Sequence, residues 1–326
     1  MFFFLTIIVV DAMKFAVIGT GGVGGYFGGM LAKSGEDVWF TARGGHLAAM
    51  QVHGLRVVST GGGFHIPPGR ITGKPAEIGP VDVVLFCVKS YDTVSAAQEL
   101  APLLTNETII ISLQNGVDNE EKIQQTVSTG TVFGGVAYIY STITSPGVVS
   151  ETGGPKKIVF GPLTECDGDS PRAKKTLDAM LAAGINATLT EDIATALWKK
   201  FVFISAVGGM TALTRLTLGE ILAVDVSRAL LADAMREGVA VARALNISIE
   251  DEYLDTVFET LKKFDNNSRS SLYYDLVHEK PMEIDALSGT IVRYGEKLRM
   301  ATPIHATIYA SLLPYHLKHI QLLVRH

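Results

Sequence analysis

The chain has 326 residues and a mass of 35.0 kDa, which exceeds the usual size of one compact domain and predicts two. Apolar residues make up 47% and charged residues 19%, and the net charge of −5 includes no long acidic or basic run. This composition argues against a nucleic-acid or membrane-surface partner, because such proteins carry a basic patch or a block of like charges. The two cysteines, Cys87 and Cys166, lie far apart and suggest neither a disulfide framework nor a zinc site. We therefore expect no metal and a cytoplasmic location.

The opening segment MFFFLTIIVV is mostly apolar and raises the question of export. A signal peptide would carry positive charge before the apolar stretch and a cleavage site after it, and a membrane span needs about 20 apolar residues. Neither condition is met. We interpret residues 1–12 as an upstream extension, with the first domain beginning at Met13. A short extra strand or an anchor is the alternative.

The first half of the sequence alternates β-rich runs with helical stretches, which is typical of a mainly parallel sheet covered by helices. Strands are predicted over residues 14–19, 38–42, 81–88 and 108–113, with further strands in VFGGVAYIYST and KKIVFGP around a turn at Pro146. Helices are predicted from the glycine-rich segment to about residue 34 and over residues 93–104. Glycines 61–63 and the prolines at 67 and 68 mark a hairpin region.

From about residue 190 the β-branched runs give way to helical spacing with few glycine breaks. The predicted class is therefore α/β plus all-α. A Rossmann-type, doubly wound domain would cover residues 1–190, and a helical domain would cover residues 191–326.

Residues 19–24, GTGGVG, form a G-x-G-x-x-G motif between an apolar strand and a helix. The first glycine permits a tight turn, the second lets the backbone approach a pyrophosphate, and the third allows close packing of helix on strand. A glycine-rich turn without ligand is the alternative, but the surrounding pattern favours a dinucleotide. The candidate cofactor-binding positions are Gly19, Gly21, Gly22, Val23 and Gly24.

The end of the second predicted strand bears on which dinucleotide is bound. An NAD site would place an acid there for the ribose 2′-hydroxyl, whereas a 2′-phosphate needs a cation. The strand runs into Arg43 without an acid, since Glu36 and Asp37 precede it. Arg43 can give charge-assisted hydrogen bonds to a phosphate, so NADP(H) is favoured. A solvated loop arginine is the alternative.

Polar residues also follow two later strands, at the edge where ligands bind in this kind of sheet. Lys89 follows one strand, and Asn115 with Gly116 follows the next. Taken alone, Lys89 could be only a solvated strand end, and Asn115 only part of a turn.

Residues 192–207 predict a buried helix that Lys199 and Lys200 interrupt. The neighbours of Lys200 one turn away are apolar, so its ammonium must either snorkel to solvent or meet a polar cavity. Desolvation would lower its pKa toward the range useful for proton transfer. Further on, Glu283 follows a proline and could be only a first-turn charge, and Ser271 could be only a helix cap.

Five segments, in this order and at these separations, resemble the ketopantoate reductase (2-dehydropantoate 2-reductase) family. They are KFAVIGTGGVGG, VVLFCVKS, SLQNGV, ALWKK and SSLYYDLVHEKPMEID. The resemblance extends from Met13 to about residue 310. It implies a Rossmann domain, a helical C-terminal domain and reduction of a 2-oxo acid with NADPH in the pantothenate route to coenzyme A.

The resemblance also implies roles for individual residues. Lys200 matches the family's general acid, and Glu283 matches the acid that binds the substrate hydroxyl. Lys89 and Asn115 match residues that line the nicotinamide end, with Asn115 also near the substrate. Arg43 matches the residue that binds the 2′-phosphate, and Ser271 matches a serine of the substrate pocket.

This sequence departs from the family pattern where amides usually fix the substrate. Ile204 and Gly208 stand at two positions where asparagine is usual, four and eight residues after the lysine. Leu218 and Ser268 stand where two further asparagines are common. We therefore expect a pocket more apolar than the family norm, and a substrate that need not be ketopantoate.

Three functions remain open from the sequence. The leading hypothesis is an NADPH-dependent 2-oxo acid reductase, with a homodimer as its candidate assembly. One alternative is a dehydrogenase of the 3-hydroxyacid or 6-phosphogluconate type, which also joins a Rossmann domain to a helical domain with a helix-borne lysine. The other is a non-catalytic NADP(H)-binding sensor, which the missing asparagines make credible.

Overall fold

The computed structural model describes residues 12–164 and 170–324, with side chains described through residue 321. Cys166 and all but the last residue of the interpreted N-terminal extension lie outside these ranges. The chain forms two compact units, and neither is a single continuous stretch of sequence. The first contains residues up to 88, 94–113 and 123–191, and the second contains residues 89–93, 114–122 and those from 192 onward.

In the described part of the chain, the first unit is built on a ten-stranded sheet with the order β4-β3-β9-β8-β7-β6-β1-β2-β5, and β10 pairs with β9. Most neighbouring strands are parallel, whereas β3 with β4 and β8 with β9 are antiparallel hairpins at the predicted turns. The strands are β1 (Lys14–Ile18), β2 (Asp37–Thr41), β3 (Leu55–Val58), β4 (Phe64–Ile66), β5 (Ile71–Thr72), β6 (Val83–Phe86), β7 (Ile109–Ser112), β8 (Thr131–Ser145), β9 (Val148–Pro162) and β10 (Asn186–Leu189).

Helices alternate with these strands, as the sequence predicts for an α/β domain. They are α1 (Gly22–Ser34), α2 (Gly44–His53), α3 (Thr93–Gln98), α4 (Asn119–Thr126) and α5 (Pro171–Ala182). Strands β6 and β7 are buried at every position, because helices cover both faces of a parallel sheet. Helix α1 lies close on β1, since a Cβ at Gly28 would come within 2.5 Å of the Val17 side chain.

Two element boundaries differ from the sequence prediction. The predicted helix over residues 93–104 is wrong in extent, because α3 ends at Gln98 and Ala101–Leu103 forms a separate 3₁₀ turn. Pro102 has no N–H to continue an α-helical ladder. The predicted strand over residues 81–88 is shorter, since the Val81 N–H donates to the Leu103 carbonyl and β6 begins at Val83.

The second unit is helical in the part of the chain that is described, as predicted. Asp192 caps the long helix α6 by accepting a hydrogen bond from the Thr195 N–H, and α6 packs against α8, α10 and α12. A π-helix, Asp285–Gly289, leads into α11. The α-helices are α6 (Ile193–Thr214), α7 (Leu218–Ala223), α8 (Asp225–Ala244), α9 (Tyr253–Leu261), α10 (Ser271–Val277), α11 (Thr290–Leu298) and α12 (Pro303–Val324).

Helix α6 is the single described helix that is long and apolar enough to cross a membrane by length and composition. More than half of its most apolar stretch is buried inside the protein. This is the pattern of a core helix, and it agrees with the buried helix predicted from residues 192–207.

Candidate active site

The glycine-rich turn between β1 and α1 gives each motif glycine a separate role. Gly19 has φ +93°, a left-handed conformation that strains other residues. A Cβ at Gly24 would lie 2.4 Å from the Gly19 carbonyl oxygen, so this position is closed by packing. Gly21 differs, because a Cβ there would meet nothing within 4 Å. The turn is therefore tight at its ends and open at its middle glycine, as a pyrophosphate needs.

Helix α1 presents its N-terminus to the same open place. Gly21 is its N-cap, and no described side chain caps this end by a hydrogen bond. Backbone N–H groups at a helix N-terminus, including those of Gly22 and Val23, favour a bound anion. The geometry fits a phosphate group of a dinucleotide.

Thr41, at the end of β2, ties this turn to the sheet and was missed by the sequence analysis. Its hydroxyl accepts from the Gly19 N–H at 3.1 Å and donates to the Val17 carbonyl at 3.0 Å. Its carbonyl accepts from the Thr20 N–H and hydroxyl. Arg43 follows two residues later as the exposed N-cap residue of α2. At the end of β2, the neutral Thr41 side chain therefore stabilises the glycine-rich turn, and the Arg43 cation lies at the surface.

His46 holds the glycine-rich turn from α2 and was also missed. Its Nδ1 accepts from the Gly147 N–H at 3.0 Å, so its Nε2 carries the proton and donates to the Thr20 carbonyl at 2.9 Å. Burial lowers the pKa of His46, against a raising effect of the hydrogen bond to Thr20. The ring thus joins the glycine-rich turn to the β8–β9 turn in its neutral form.

In the second unit, Lys89 joins two carboxylates that are far away in sequence. Its Nζ lies 3.1 Å from Asp275 Oδ2 and 3.2 Å from Glu283 Oε2. The other Glu283 oxygen accepts the Ser90 N–H at 3.0 Å. Glu283 itself is only 6% exposed, whereas the Lys89 side chain is 42% exposed. We call Lys89, Ser90, Asp275 and Glu283 the carboxylate cluster.

The charges of this cluster fix its protonation states. Burial alone would raise the pKa of Glu283, but Lys89 and the Ser90 N–H outweigh it and hold the pKa below its usual value. Burial likewise would lower the pKa of Lys89, but Glu283 and Asp275 raise it well above its usual range. Burial raises the pKa of Asp275, with Lys89 opposing. At neutral pH the cluster therefore presents an ionised Glu283.

Lys200 lies on α6, where burial lowers the pKa of its amine to about 8. The negative charge of Glu283 opposes this shift, so the two side chains interact electrostatically. Lys199 differs, because its Nζ lies 2.5 Å from Glu250 Oε1 in an ion pair. Of two adjacent lysines, Lys200 is thus the one suited to release and take up a proton near neutral pH.

Asn115 and Gly116 form a turn in the second unit. Gly116 has φ +120°, and the Asn115 carbonyl accepts from Asn119 Nδ2 at 2.9 Å. The Asn119 Oδ1 accepts in turn from the Thr93 hydroxyl at 3.1 Å. This network fixes the backbone at Asn115, whose side chain is half-buried.

The serine-rich segment before α10 requires a correction. The helix cap is Ser270, which accepts from the Tyr273 N–H at 3.1 Å and also hydrogen-bonds the Thr211 hydroxyl at 2.7 Å. Ser271 is instead the first helical residue and is exposed. Neighbouring Arg269 stacks on the Tyr273 ring, and its buried Nε has no hydrogen-bond partner among the described residues. A carboxylate is the acceptor that such a group prefers.

Sequence comparison now places this geometry in a known family. Residues 15–165 match the family described as ketopantoate reductase PanE/ApbA, and residues 192–316 match its C-terminal domain. The chain belongs to the ketopantoate reductase family. It is therefore an oxidoreductase, as the sequence resemblance implied.

Relatives of this ketopantoate reductase family member match it over most of its length. An uncharacterised oxidoreductase of Bacillus subtilis is 30% identical over 93% of this chain and 99% of its own. A 2-dehydropantoate 2-reductase from Mesorhizobium japonicum is 29% identical over 89% of this chain and 94% of its own. The crystal structure of a 2-dehydropantoate 2-reductase from Geobacter metallireducens superposes with a TM-score of 0.85 at 32% identity, covering 93% and 99%.

The positions where this family member lacks the usual asparagines differ in their surroundings. Ile204 is half-buried, and a Cβ at Gly208 would meet only Leu272, at the ordinary contact distance of 3.8 Å. Leu218 is 2% exposed and packs in the apolar core at the start of α7. The Leu218 side chain is therefore used for packing, and the expectation of a pocket more apolar than the family norm stays a prediction.

The sequence analysis missed two members of the carboxylate cluster, the backbone donor Ser90 and the acid Asp275. Asp275 lies within the segment SSLYYDLVHEKPMEID that carried the resemblance, eight residues before Glu283. An acid at this spacing gives no signal by itself, because its partner Lys89 is 186 residues away in sequence.

Proposed function

We propose that this protein reduces a 2-oxo acid to the 2-hydroxy acid with NADPH, with ketopantoate as the first substrate to test. The single observation that carries the proposal is Lys200, an amine whose pKa is lowered to about 8 by burial and which interacts with an ionised Glu283. A proton donor of this pKa is what carbonyl reduction requires of the protein, and the ionised Glu283 offers an acceptor for a substrate hydroxyl.

The cofactor would be held by residues of the first unit. The open position at Gly21 and the N-terminus of α1 fit its pyrophosphate, and Arg43 would bind the 2′-phosphate of NADPH. When bound, the cofactor supplies the hydride that reduces the substrate carbon. For Lys89 and Asn115 we retain the role at the nicotinamide end as a proposal, with Lys89 also holding Glu283.

The side chains of the second unit would handle the substrate. Protonated Lys200 donates a hydrogen bond to the ketone oxygen, stabilises the negative charge that develops there and transfers its proton to that oxygen. Ionised Glu283 accepts a hydrogen bond from a substrate hydroxyl, and Lys89 with the Ser90 N–H keeps it ionised and in place. Afterwards the neutral amine of Lys200 regains a proton from solvent.

The substrate carboxylate needs a partner, and two residues near α10 are candidates. Arg269 offers a buried Nε without a described partner, and Ser271 offers an exposed hydroxyl at the N-terminus of α10. Because Ile204 and Gly208 provide no amides, we propose that the enzyme discriminates less strongly for ketopantoate than a site with asparagines at those positions.

The test is NADPH oxidation, followed by absorbance, with a panel of ketopantoate and less polar branched 2-oxo acids. Lys200→Ala should lower kcat by about 10²–10⁴-fold while the fold and NADPH binding persist. Lys199→Ala is the matched control and should have little effect, because Lys199 pairs with Glu250. Equal damage from both variants would contradict the role of Lys200.

The same assay separates the competing functions. A non-catalytic sensor would bind NADPH but oxidise it with no 2-oxo acid on the panel. Strong and selective reduction of ketopantoate over branched 2-oxo acids would contradict the proposed relaxed discrimination. Ketopantoate reduction would then be the activity of this enzyme.

Cofactor choice has its own test. Arg43→Ala should reduce the preference for NADPH over NADH by roughly 10- to 100-fold, since a hydrogen bond to a charged group contributes about 1.5–3 kcal/mol. Direct binding of both cofactors gives the ratio, and an unchanged ratio would remove Arg43 from the 2′-phosphate site.

A further inference from the structure

We propose that His316 is a positioning residue for Glu283, and that protonation of its ring weakens the hold on the substrate. The inference rests on the proposed function, in which Glu283 binds a substrate hydroxyl. His316 belongs to no motif used above and lies on α12, 33 residues beyond Glu283 in sequence.

The ring is joined to the residue directly before Glu283. His316 is 6% exposed, and its Nδ1 accepts the backbone N–H of Met282 at 3.0 Å. Met282 is fully buried, so this N–H depends on a protein acceptor. Only an unprotonated Nδ1 has the lone pair that accepts it. The neutral ring thus fixes the main chain at Met282, directly before Glu283.

The same ring also contacts the segment that holds the Glu283 carboxylate. The ring centroids of His316 and Tyr91 lie 6.1 Å apart at an interplanar angle of 45°. Tyr91 directly follows Ser90, whose N–H donates to Glu283 Oε1. His316 therefore packs against both segments that determine where Glu283 lies, which are its own backbone and its hydrogen-bond donor.

The groups around the ring favour its neutral form at neutral pH. Burial lowers the pKa of His316, Asp285 of the π-helix raises it, and His319 of the next turn of α12 lowers it. Tyr91 is the further titratable group whose ring contacts His316. As the pH falls through the lowered pKa, Nδ1 gains a proton, the Met282 N–H loses its acceptor and two N–H groups confront each other. Glu283 then loses its fixed position.

The chain provides a matched control on the same helix. His319 is also buried, and its Nδ1 hydrogen-bonds the Lys280 carbonyl at 2.8 Å. It contacts neither Met282 nor Tyr91 in any described hydrogen bond or ring contact. Replacing His319 therefore perturbs α12 to a similar degree without removing the acceptor for Met282.

Three variants test the inference. His316→Asn places an amide oxygen near the position of Nδ1, which accepts a hydrogen bond but does not titrate. His316→Phe keeps a ring but removes the acceptor. His319→Asn is the control. For each, KM and kcat for the 2-oxo acid are measured from pH 5 to 8, together with amide hydrogen exchange of the peptide spanning residues 279–285.

We expect His316→Phe to raise KM by about tenfold at neutral pH, because one buried hydrogen bond is lost. The change in kcat should be much smaller. Exchange in residues 279–285 should accelerate. His316→Asn should keep the wild-type KM at neutral pH and lose the part of the KM increase at acid pH that the histidine causes. His319→Asn should keep the wild-type KM at neutral pH and the wild-type exchange, and its acid limb should lie at slightly higher pH, because His319 no longer lowers the pKa of His316.

Two results would overturn the inference. Unchanged hydrogen exchange in folded His316→Phe would show that the Met282 contact does not fix this segment, whatever the enzyme turns over. If His316→Phe fails to fold, a His316→Asn variant that keeps the full wild-type acid limb decides against it. Faster exchange in a protein that reduces no 2-oxo acid would instead remove the proposed function and, with it, the link to substrate.

Discussion

Lys200 owes its chemistry to the apolar helix that carries it. An amine on an exposed helix would stay protonated far above neutral pH, whereas burial on α6 brings the pKa of Lys200 to about 8, even against the opposing charge of Glu283. The same sequence pattern that predicted a buried helix therefore predicted the shift, since Lys200 has apolar neighbours one turn away on both sides. The residue pattern gives no sign of its proximity to Glu283, because the two residues are 83 positions apart. The family resemblance implied it by assigning both residues to one substrate.

The pH dependence of turnover follows from this pKa. Reduction needs protonated Lys200, so kcat should fall as the pH rises through about 8. Oxidation of the 2-hydroxy acid needs the neutral amine and should rise through the same range. Steady-state rates in both directions between pH 6 and 10 give the two limbs. Lys200→Arg, which keeps its charge at all these values, should be slow and show neither limb.

Lys89 should determine whether Glu283 is ionised. Without Lys89, burial would raise the pKa of Glu283, and a protonated carboxyl binds a substrate hydroxyl less well. Lys89→Met should therefore raise KM about tenfold or more at neutral pH and move the acid limb of kcat/KM to higher pH. The pH profile of kcat/KM measures both effects.

Asp275→Asn provides the comparison for Lys89→Met. Asp275 contacts Lys89 but has no described hydrogen bond to Glu283, which keeps Lys89 and the Ser90 N–H in this variant. We expect a smaller change in KM. A larger effect from Asp275→Asn than from Lys89→Met would mean that Asp275, and not Lys89, controls Glu283.

At the scale of whole elements, the sequence predicted best where one physical signal dominates. The core strands β6 and β7 were predictable because uninterrupted β-branched runs fit a sheet covered on both faces. Helix α3 was overextended because the helical pattern outweighed Pro102 in the prediction. The cap of α10 was displaced by one residue, since adjacent serines cap equally well on pattern alone and only the bond to Thr211 selects Ser270.

Two adjacent glycines in α6 give a test of its packing. A Cβ at Gly208 meets only Leu272 at ordinary contact distance, whereas a Cβ at Gly209 would lie 2.7 Å from Ile308 of α12. Gly208→Ala should stabilise the helical unit by about 0.5–1 kcal/mol, because glycine is a poor helix former. Gly209→Ala should destabilise it by overpacking, at a cost of about 1–3 kcal/mol.

Thermal unfolding of the two glycine variants gives opposite shifts in Tm if α6 packs as described. A lower Tm in both variants would mean that a Cβ at position 208 does not fit against Leu272, and would contradict the packing described. The wild type and a Gly219→Ala variant, where a Cβ would lie 2.7 Å from Asn266, complete the series.

For the whole molecule, the two units are not two halves of the sequence. Residues 89–93 and 114–122 belong to the helical unit although β-strands of the first unit surround them in sequence. The sequence change near residue 190 located the start of the continuous helical region but gave no sign of these two insertions. Pattern changes along a chain reveal contiguous domains, and short returning segments are visible only in three dimensions. The oligomeric state, including a homodimer, and the cytoplasmic location remain predictions.

Dividing the chain at the sequence boundary should therefore damage the helical unit. A fragment of residues 192–326 lacks Lys89 and Ser90, so Glu283 would keep its buried position without its cation or its backbone donor. We expect this fragment to unfold at lower temperature than the full chain, and to lose further stability as the pH rises from the ordinary pKa of a glutamate to the raised pKa of the buried Glu283. Circular dichroism during heating at pH 5 and pH 8 measures this, and equal stability at both would contradict it.

The π-helix after Glu283 sets the angle at which Glu283 lies around the helix axis relative to α11. Its carbonyl at Asp285 is held by Arg293 at 3.1 Å and by the Thr290 hydroxyl at 3.2 Å, and the Gly289 N–H reaches back five residues to Ile284. This wide turn contains one residue more than an α-helical turn. Each residue of an α-helix rotates the chain by about 100°, so a one-residue deletion here would swing Glu283 by roughly that angle relative to α11. The rotational phase of this turn thus makes the segment intolerant of insertion or deletion.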